Sequence, residues 1–287
     1  PQGYERGEGV SVPRLAAMEL GKLLRRGRTY IGPLGMLAIL IPTVIGLKYG
    51  GIEGEFTGFI GAGNISVIGS PVNASFIARA VMPPTVFLFM PLFVSLVAGD
   101  QISGEAADGT LRTLLARPVD RFRILFAKYL VALVYAVCLP VFLAVSAYLL
   151  GWAVFGQGGL GSYGGGIKYF GMAEGVQRLL IAYASAAVYL LSVTSLAFLF
   201  SVFVTSSLFP VGATMICLLT SGSMGEIPYF HAVKPYLFTS YADLFQRAFD
   251  IPLDPQVFAR GAATLLIYCA ACFAIASFVF VRKDILT

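Results

Sequence analysis

The chain has 287 residues, 57% of them hydrophobic and only 12% charged, with a formal net charge of +5 and a mean hydropathy of +0.82. Soluble domains carry about 25% charged residues, so an ordinary cytosolic globule is excluded, and so is intrinsic disorder, which needs low hydrophobicity and high net charge. What remains is an all-α, polytopic membrane protein.

Residues 12–28 open the reading. Pro13 suits a first helical position. Ala16, Leu20, Leu23 and Leu24 share one helix face, and Arg14, Lys22, Arg25 and Arg26 lie mostly on the other. Such a helix is expected to lie in the membrane interface with its basic side towards anionic headgroups of the lipid bilayer; a solvated basic tail is the alternative. The apolar run that follows is long enough to span and is therefore expected to be a membrane helix rather than a signal peptide.

A span needs about 20 mostly apolar residues. Six runs qualify: Tyr30–Leu47, Val81–Gly99, Ile124–Trp152, Leu179–Val204, Leu208–Met224 and Ala262–Val281. Lys128 falls near one end of the third, where its side chain is expected to snorkel to the interface. Six spans put both termini on one side and leave no room for a second large domain. Thirteen of the 20 Lys and Arg residues collect on that side, at 6, 14, 22, 25, 26, 28, 112, 117, 121, 123, 128, 282 and 283; the other seven fall on the opposite side. The basic excess predicts cytoplasmic termini in a cell membrane. It also accounts for the pI of about 9.1 without nucleic acid as a partner.

The predicted outside loops are 48–80, 153–178 and 225–261. The second is glycine-dense (GQGGLGSYGGG) and reads as a flexible loop. Within the third, residues 226–258, YLFTSYADLFQRAF is aromatic and amphipathic. It predicts one or two short helices in the outer leaflet, or a soluble helix packed on the span ends. The sequons at Asn64 and Asn73 lie outside, where a bacterial source would leave them unmodified.

Cys138, Cys217, Cys269 and Cys272 all sit in apolar runs, so a disulfide framework is not expected. The Cys269-x-x-Cys272 pair reads as packing in a lipid-embedded helix rather than a redox motif. A single His argues against a His-rich metal site.

The densest polar segment is Asp100–Arg123, DQISGEAADGTLRTLLARPVDRFR. Asp108-Gly109 signals a turn and Thr110 can cap a short helix. Leu111, Leu114 and Leu115 then share a face, Arg112 points away, and Pro118 ends the helix. An apolar ridge with basic flanks suits docking into a groove of a partner; a helical hairpin resting on headgroups fits equally well.

The string from Ser103 to Pro118, SGEAADGTLRTLLARP, resembles the signature of type-2 ABC exporter permeases: an SGE triplet (Ser103, Gly104, Glu105), then GTLR (Gly109, Thr110, Leu111, Arg112), a paired leucine (Leu114, Leu115) and Arg117-Pro118. The resemblance implies that 103–118 is the coupling helix gripped by a separate ABC-type ATPase subunit, that 12–28 is an interfacial elbow, and that the loop at 204–208 is a second contact. It further implies pairing with a second copy or close relative, and leaves room for accessory extracytoplasmic proteins. Glu105 is expected to hold a cation of the ATPase or to cap a backbone turn.

No G-x-x-x-x-G-K-[ST] occurs, so ATP and Mg are expected on the partner and no cofactor on this chain. The expected function is thus an ATP-driven permease, probed against three others. An ion-coupled transporter usually needs ionisable residues in mid-span, and these spans lack them. A serine protease would need Ser221 or Ser223 with His231, without a G-x-S-x-G. A non-transporting anchor that tethers an ATPase would carry the same loop. Gly212, Ala213, Ser221 and Gly222 would allow close helix approach, between copies or within one chain. Charge-free spans suit a hydrophobic or amphipathic cargo.

Overall fold

A computed structural model describes residues 12–50, 72–107, 109, 121–163, 167–230, 234 and 237–282. The described chain is helical apart from one hairpin. Helix α1 spans Val12–Arg25 and ends with Lys22 and Arg25 in its last turn, where cations complement the helix dipole. Arg26 adopts an extended conformation and breaks it. The hydroxyl of Thr29 donates to the Leu23 carbonyl and closes the corner, after which a 3-10 turn at Gly27–Tyr30 leads into α2, Ile31–Tyr49.

The next apolar stretch begins earlier than its hydropathy suggests. Asn73 caps α3 (Ala74–Ala80), its side-chain oxygen accepting from the Phe76 amide at 3.1 Å. Pro83 and Pro84 interrupt the regular ladder. A π-helical turn at Thr85–Phe89 follows, then α4 (Met90–Asp100) and the short α5 (Ser103–Ala107).

The longest helices are α6 (Arg121–Phe155) and α7 (Met172–Phe203). Between them, β1 (Leu160–Tyr163) pairs antiparallel with β2 (Ile167–Phe170). The described residues of the glycine-dense loop thus include two paired strands, where the composition had suggested a flexible connection. Its order has a cause: Leu160 and Phe170 are buried, and Asn73 donates from Nδ2 to the Gly159 carbonyl at 2.7 Å. Asn73 is thus consumed by two structural bonds and is no exposed sequon.

Helix α7 occupies the centre, packed against α4, α6, α8 (Phe209–Glu226) and α10 (Pro255–Arg282). Its buried Ser192, Ser195 and Ser201 turn their hydroxyls onto carbonyls one turn back, so small polar residues let helices approach without orphaned groups. Before α10, the chain folds into a 3-10 turn at Phe238–Tyr241 and a one-turn helix, α9 (Leu244–Arg247).

Five stretches are long and apolar enough to cross a membrane: Gly27–Tyr49, Ala74–Asp100, Arg121–Phe155, Met172–Phe203 and Pro255–Arg282. The chain is a multi-pass, mostly helical membrane protein. Helix α8, where a further span was expected, is a shorter apolar helix of 18 residues. The four cysteines are unpaired thiols, with Cys269 buried between helices.

Helices α6 and α3 meet at a glycine. A Cβ on Gly151 would stand 2.9 Å from the Ala74 Cα and 3.3 Å from its carbonyl, whereas one on Gly46 would meet nothing within 4 Å. Gly151→Leu is expected to destabilise by about 1–3 kcal/mol through overpacking against backbone. Gly46→Ala should leave the protein close to wild type. Thermal melting in detergent checks both, and equal melting temperatures would contradict this packing.

Candidate functional site

At the end of the bundle where α4 stops and α6 starts, ionisable side chains gather from four parts of the chain. Lys128 stands in the second turn of α6 with its side chain only 2% exposed. Its Nζ lies 2.9 Å from a Glu19 carboxylate oxygen on α1 and 2.7 Å from a Glu105 oxygen on α5. Lys128 therefore does not snorkel. A snorkelling ammonium seeks water, and this one finds two buried carboxylates nearer. Glu105 likewise faces inward, to Lys128 of its own chain. Lys22 bonds to Glu19 and stands 3.9 Å from Glu105.

A second group adjoins the first. Asp100, the last residue of α4, receives Arg26 at 3.0 Å and Arg28 at 2.9 Å. Arg28 also reaches Ser207 in the 204–208 loop at 3.5 Å, and Arg26 stands 4.0 Å from Glu105. Four cations thus face three carboxylates in one layer. An added Cβ on Gly104 would run into the Asp100 carboxylate and push it from its place beside Arg26 and Arg28. Ser103 donates to the Gly99 carbonyl at 2.6 Å and continues the helix past the break.

The basic face of α1 is accordingly divided. Arg14 and Arg25 are exposed, while Lys22 and Arg26 turn towards the acidic groups. Leu23 is buried and Leu24 exposed, so the inner face of α1 is rotated from the one its leucines alone suggest; Glu19 takes the place of an apolar residue. Of the 103–118 residues, Ser103, Gly104 and Glu105 join this layer, and Gly109 makes a left-handed turn with φ +70°. Thr110, Leu111, Arg112, Leu114, Leu115, Arg117 and Pro118 lie outside the described residues, as does His231.

Burying charges is costly unless they are paired, and removing one partner of a buried pair costs about 3–5 kcal/mol. The arrangement clamps the start of the polar loop to α1 and α6, so the three must move together. The corner below reinforces the clamp, with the Tyr135 hydroxyl of α6 donating to the Thr29 carbonyl at 3.1 Å.

Burial tends to raise the Glu19 carboxyl, but the ammonium groups of Lys128 and Lys22 outweigh it. They hold the group below its ordinary value of 4.5.

Residues 40–286 match the family described as "Protein of unknown function (DUF2705)". The chain belongs to this family. It is also similar to "Uncharacterized protein YhcI" of Bacillus subtilis (strain 168), 29% identical over 206 residues, which cover 68% of this chain. The chain spans 64% of the length of that relative. The family found over most of the chain is DUF2705 and not the type-2 ABC exporter permeases, which corrects the resemblance drawn from Ser103–Pro118. That resemblance rested on one short loop of glycine, leucine and arginine. Residue types suited to a turn and an amphipathic helix recur wherever a polar loop joins two spans. Its triplet also has a local reason to exist here: Gly104 leaves room for Asp100, and Glu105 pairs with Lys128.

Lys128→Met leaves two buried carboxylates facing each other and is expected to destabilise by about 3–5 kcal/mol. Adding Glu19→Gln and Glu105→Gln to it should recover most of the loss, because neutral groups remain. Melting of the single and triple variants in one detergent decides this; a triple variant no better than the single would break the case for coupled charges.

The pH dependence has a definite sign. A carboxyl whose folded value is depressed contributes stability above its unfolded value and loses it as pH falls through the folded one. Stability should therefore decline below about pH 4.5. Glu19→Gln should flatten that limb, measured as melting temperature against pH.

Proposed function

We propose that this chain is the membrane-embedded subunit of an ATP-driven transport assembly, with a separate cytoplasmic ATPase acting on the 103–118 loop. One observation carries the reading: the buried Glu19–Lys128–Glu105 cluster ties the start of that loop to α1 and α6. Movement imposed on Ser103–Ala107, at the start of the loop, reaches two helices through this cluster. The sequence supports the division of labour, since it lacks a phosphate-cradling glycine loop.

In this reading α8 is a sixth span. At about 1.5 Å per residue its 18 residues reach roughly 27 Å, near the hydrocarbon thickness of about 30 Å. Both termini then lie in the cytoplasm with the basic ion-cluster end. The chain itself is no enzyme. A second copy would cover α8, where Gly212 and Gly222 face open space and Ile216 and Leu219 are exposed. Export of a hydrophobic or amphipathic cargo fits spans that carry no mid-depth charge.

Purification from the native membrane tests the proposal. A particle holding two copies of the chain and two of an ATP-binding protein is expected, and Leu111→Asp should release that protein. Burying one Leu contributes about 1.5–3 kcal/mol, which is enough to loosen a docked helix while the detergent melting of the spans stays unchanged. A lone chain that hydrolyses ATP, or a complex indifferent to Leu111→Asp, would overturn the reading.

A further inference from the structure

Among the described residues four tyrosines are buried between the helices, and three of them have a partner for the hydroxyl. Tyr129 bonds with Ser195 at 2.8 Å, Tyr135 donates to the Thr29 carbonyl at 3.1 Å, and Tyr183 donates to the Ala78 carbonyl at 2.7 Å. Tyr189 is the exception. It stands near the middle of α7 and is 3% exposed, yet no acceptor among the described residues reaches its hydroxyl.

The Tyr189 side chain lines a cavity of about 500 Å³ that runs from the middle of α7 towards the segment preceding α9. The hydroxyl oxygen is not sealed in by the packing around it, so it opens onto this cavity. Phe87, Met215 and Leu218 give the cavity an apolar floor. A buried O–H without an acceptor is costly, and the packing leaves the cavity as the side from which an acceptor can come. An anion among these apolar side chains would carry a large desolvation penalty. The acceptor that fits is therefore a neutral oxygen, carried to mid-depth on an apolar body.

We propose that the cavity binds a neutral hydrophobic small molecule bearing a carbonyl group. The Tyr189 hydroxyl donates to the carbonyl oxygen, and the apolar body lies against Phe87, Met215 and Leu218. The cavity volume falls within the range of small-molecule sites. The site stands independently of whether the chain moves cargo.

The test uses the purified full chain and equilibrium dialysis in one detergent. The probes are methyl naphthyl ketone and ethylnaphthalene, which share a shape and differ in a carbonyl against a methylene. Tyr189→Phe should weaken the ketone about fivefold, the scale of one neutral hydrogen bond, and leave ethylnaphthalene unchanged. Each probe partitions alike into the micelles around wild type and variant, so the ratio between the two proteins reports the contact alone. Gly222 also lines the cavity, and a Cβ there would meet nothing within 4 Å. Gly222→Leu should therefore occupy the cavity and displace both probes. Without ligand, Tyr189→Phe should melt with the wild type, because no bond is lost, whereas Tyr183→Phe should melt lower, because its bond to Ala78 is lost. Saturable binding of neither probe, a ketone indifferent to Tyr189→Phe, probes indifferent to Gly222→Leu, or a ligand-free Tyr189→Phe that melts as low as Tyr183→Phe would each overturn the proposal.

Discussion

The Lys128 ammonium, held between two carboxylates and shut off from water, is the constraint on which one end of this bundle depends. A charge in that position cannot be left unpaired without a penalty of several kcal/mol. The helices carrying Glu19 and Glu105 therefore have no freedom to drift from α6. Their placement then sets the next layer. Once α1 is seated, Arg26 and Arg28 fall beside Asp100, and Asp100 in turn fills the space that Gly104 leaves open. Buried ion pairs are weak sources of net stability, and their better-attested use is to specify one arrangement among several. Here the specified arrangement is the angle at which a polar loop leaves the second apolar stretch.

The opposite end solves the same problem with fewer charges. Arg178 at the start of α7 donates to the carbonyls of Ala248 and Asp250 at 2.9 and 2.8 Å and lies over the Phe170 ring. Asn73 holds the hairpin to α3, and the Tyr183 hydroxyl donates to the Ala78 carbonyl at 2.7 Å. These are mostly single charges or dipoles on backbone carbonyls, so breaking one leaves a neutral partner that water can satisfy. Losing Lys128 would instead leave two like charges facing each other. The two ends therefore differ in what a broken contact leaves behind, although Arg178 is also paired with Glu174 at 2.9 Å.

Much of this architecture is legible in the amino-acid sequence, because low charge content and long apolar runs have few solutions in three dimensions. The positions of five membrane-length helices follow from hydropathy alone. What escaped is everything set by pairing across the chain. Lys128 reads as a snorkelling residue because its partners lie 109 and 23 positions away, and neither Glu19 nor Glu105 announces itself as buried. Glu19 sits among the leucines of α1, and that interruption of an apolar face is the one local signal that a buried cation waits opposite. The hairpin was hidden for another reason: glycine-rich composition argues for mobility, while its order comes from Asn73, a residue more than 80 positions earlier. The motif-like string at 103–118 misled about family because short polar loops reuse the same residue types for turns and caps.

The distribution of charge bears on how work could enter such a molecule. Between the two ends the helices pack largely through apolar side chains, with hydroxyls bonded to their own backbones at Ser192 and Thr194 and one cross-helix bond between Tyr129 and Ser195. A hydroxyl bonded within its own helix keeps its partner when that helix moves as a body. The ion cluster cannot slide, since every displacement separates a buried ammonium from its carboxylates. A push delivered at α5 would therefore be carried as rigid displacement through Lys128 into α6 and through Glu19 into α1, and be taken up as shear deeper in the bundle. Because the cluster joins α1, α5 and α6, force applied at α5 outside the bilayer would reach two helices together rather than one.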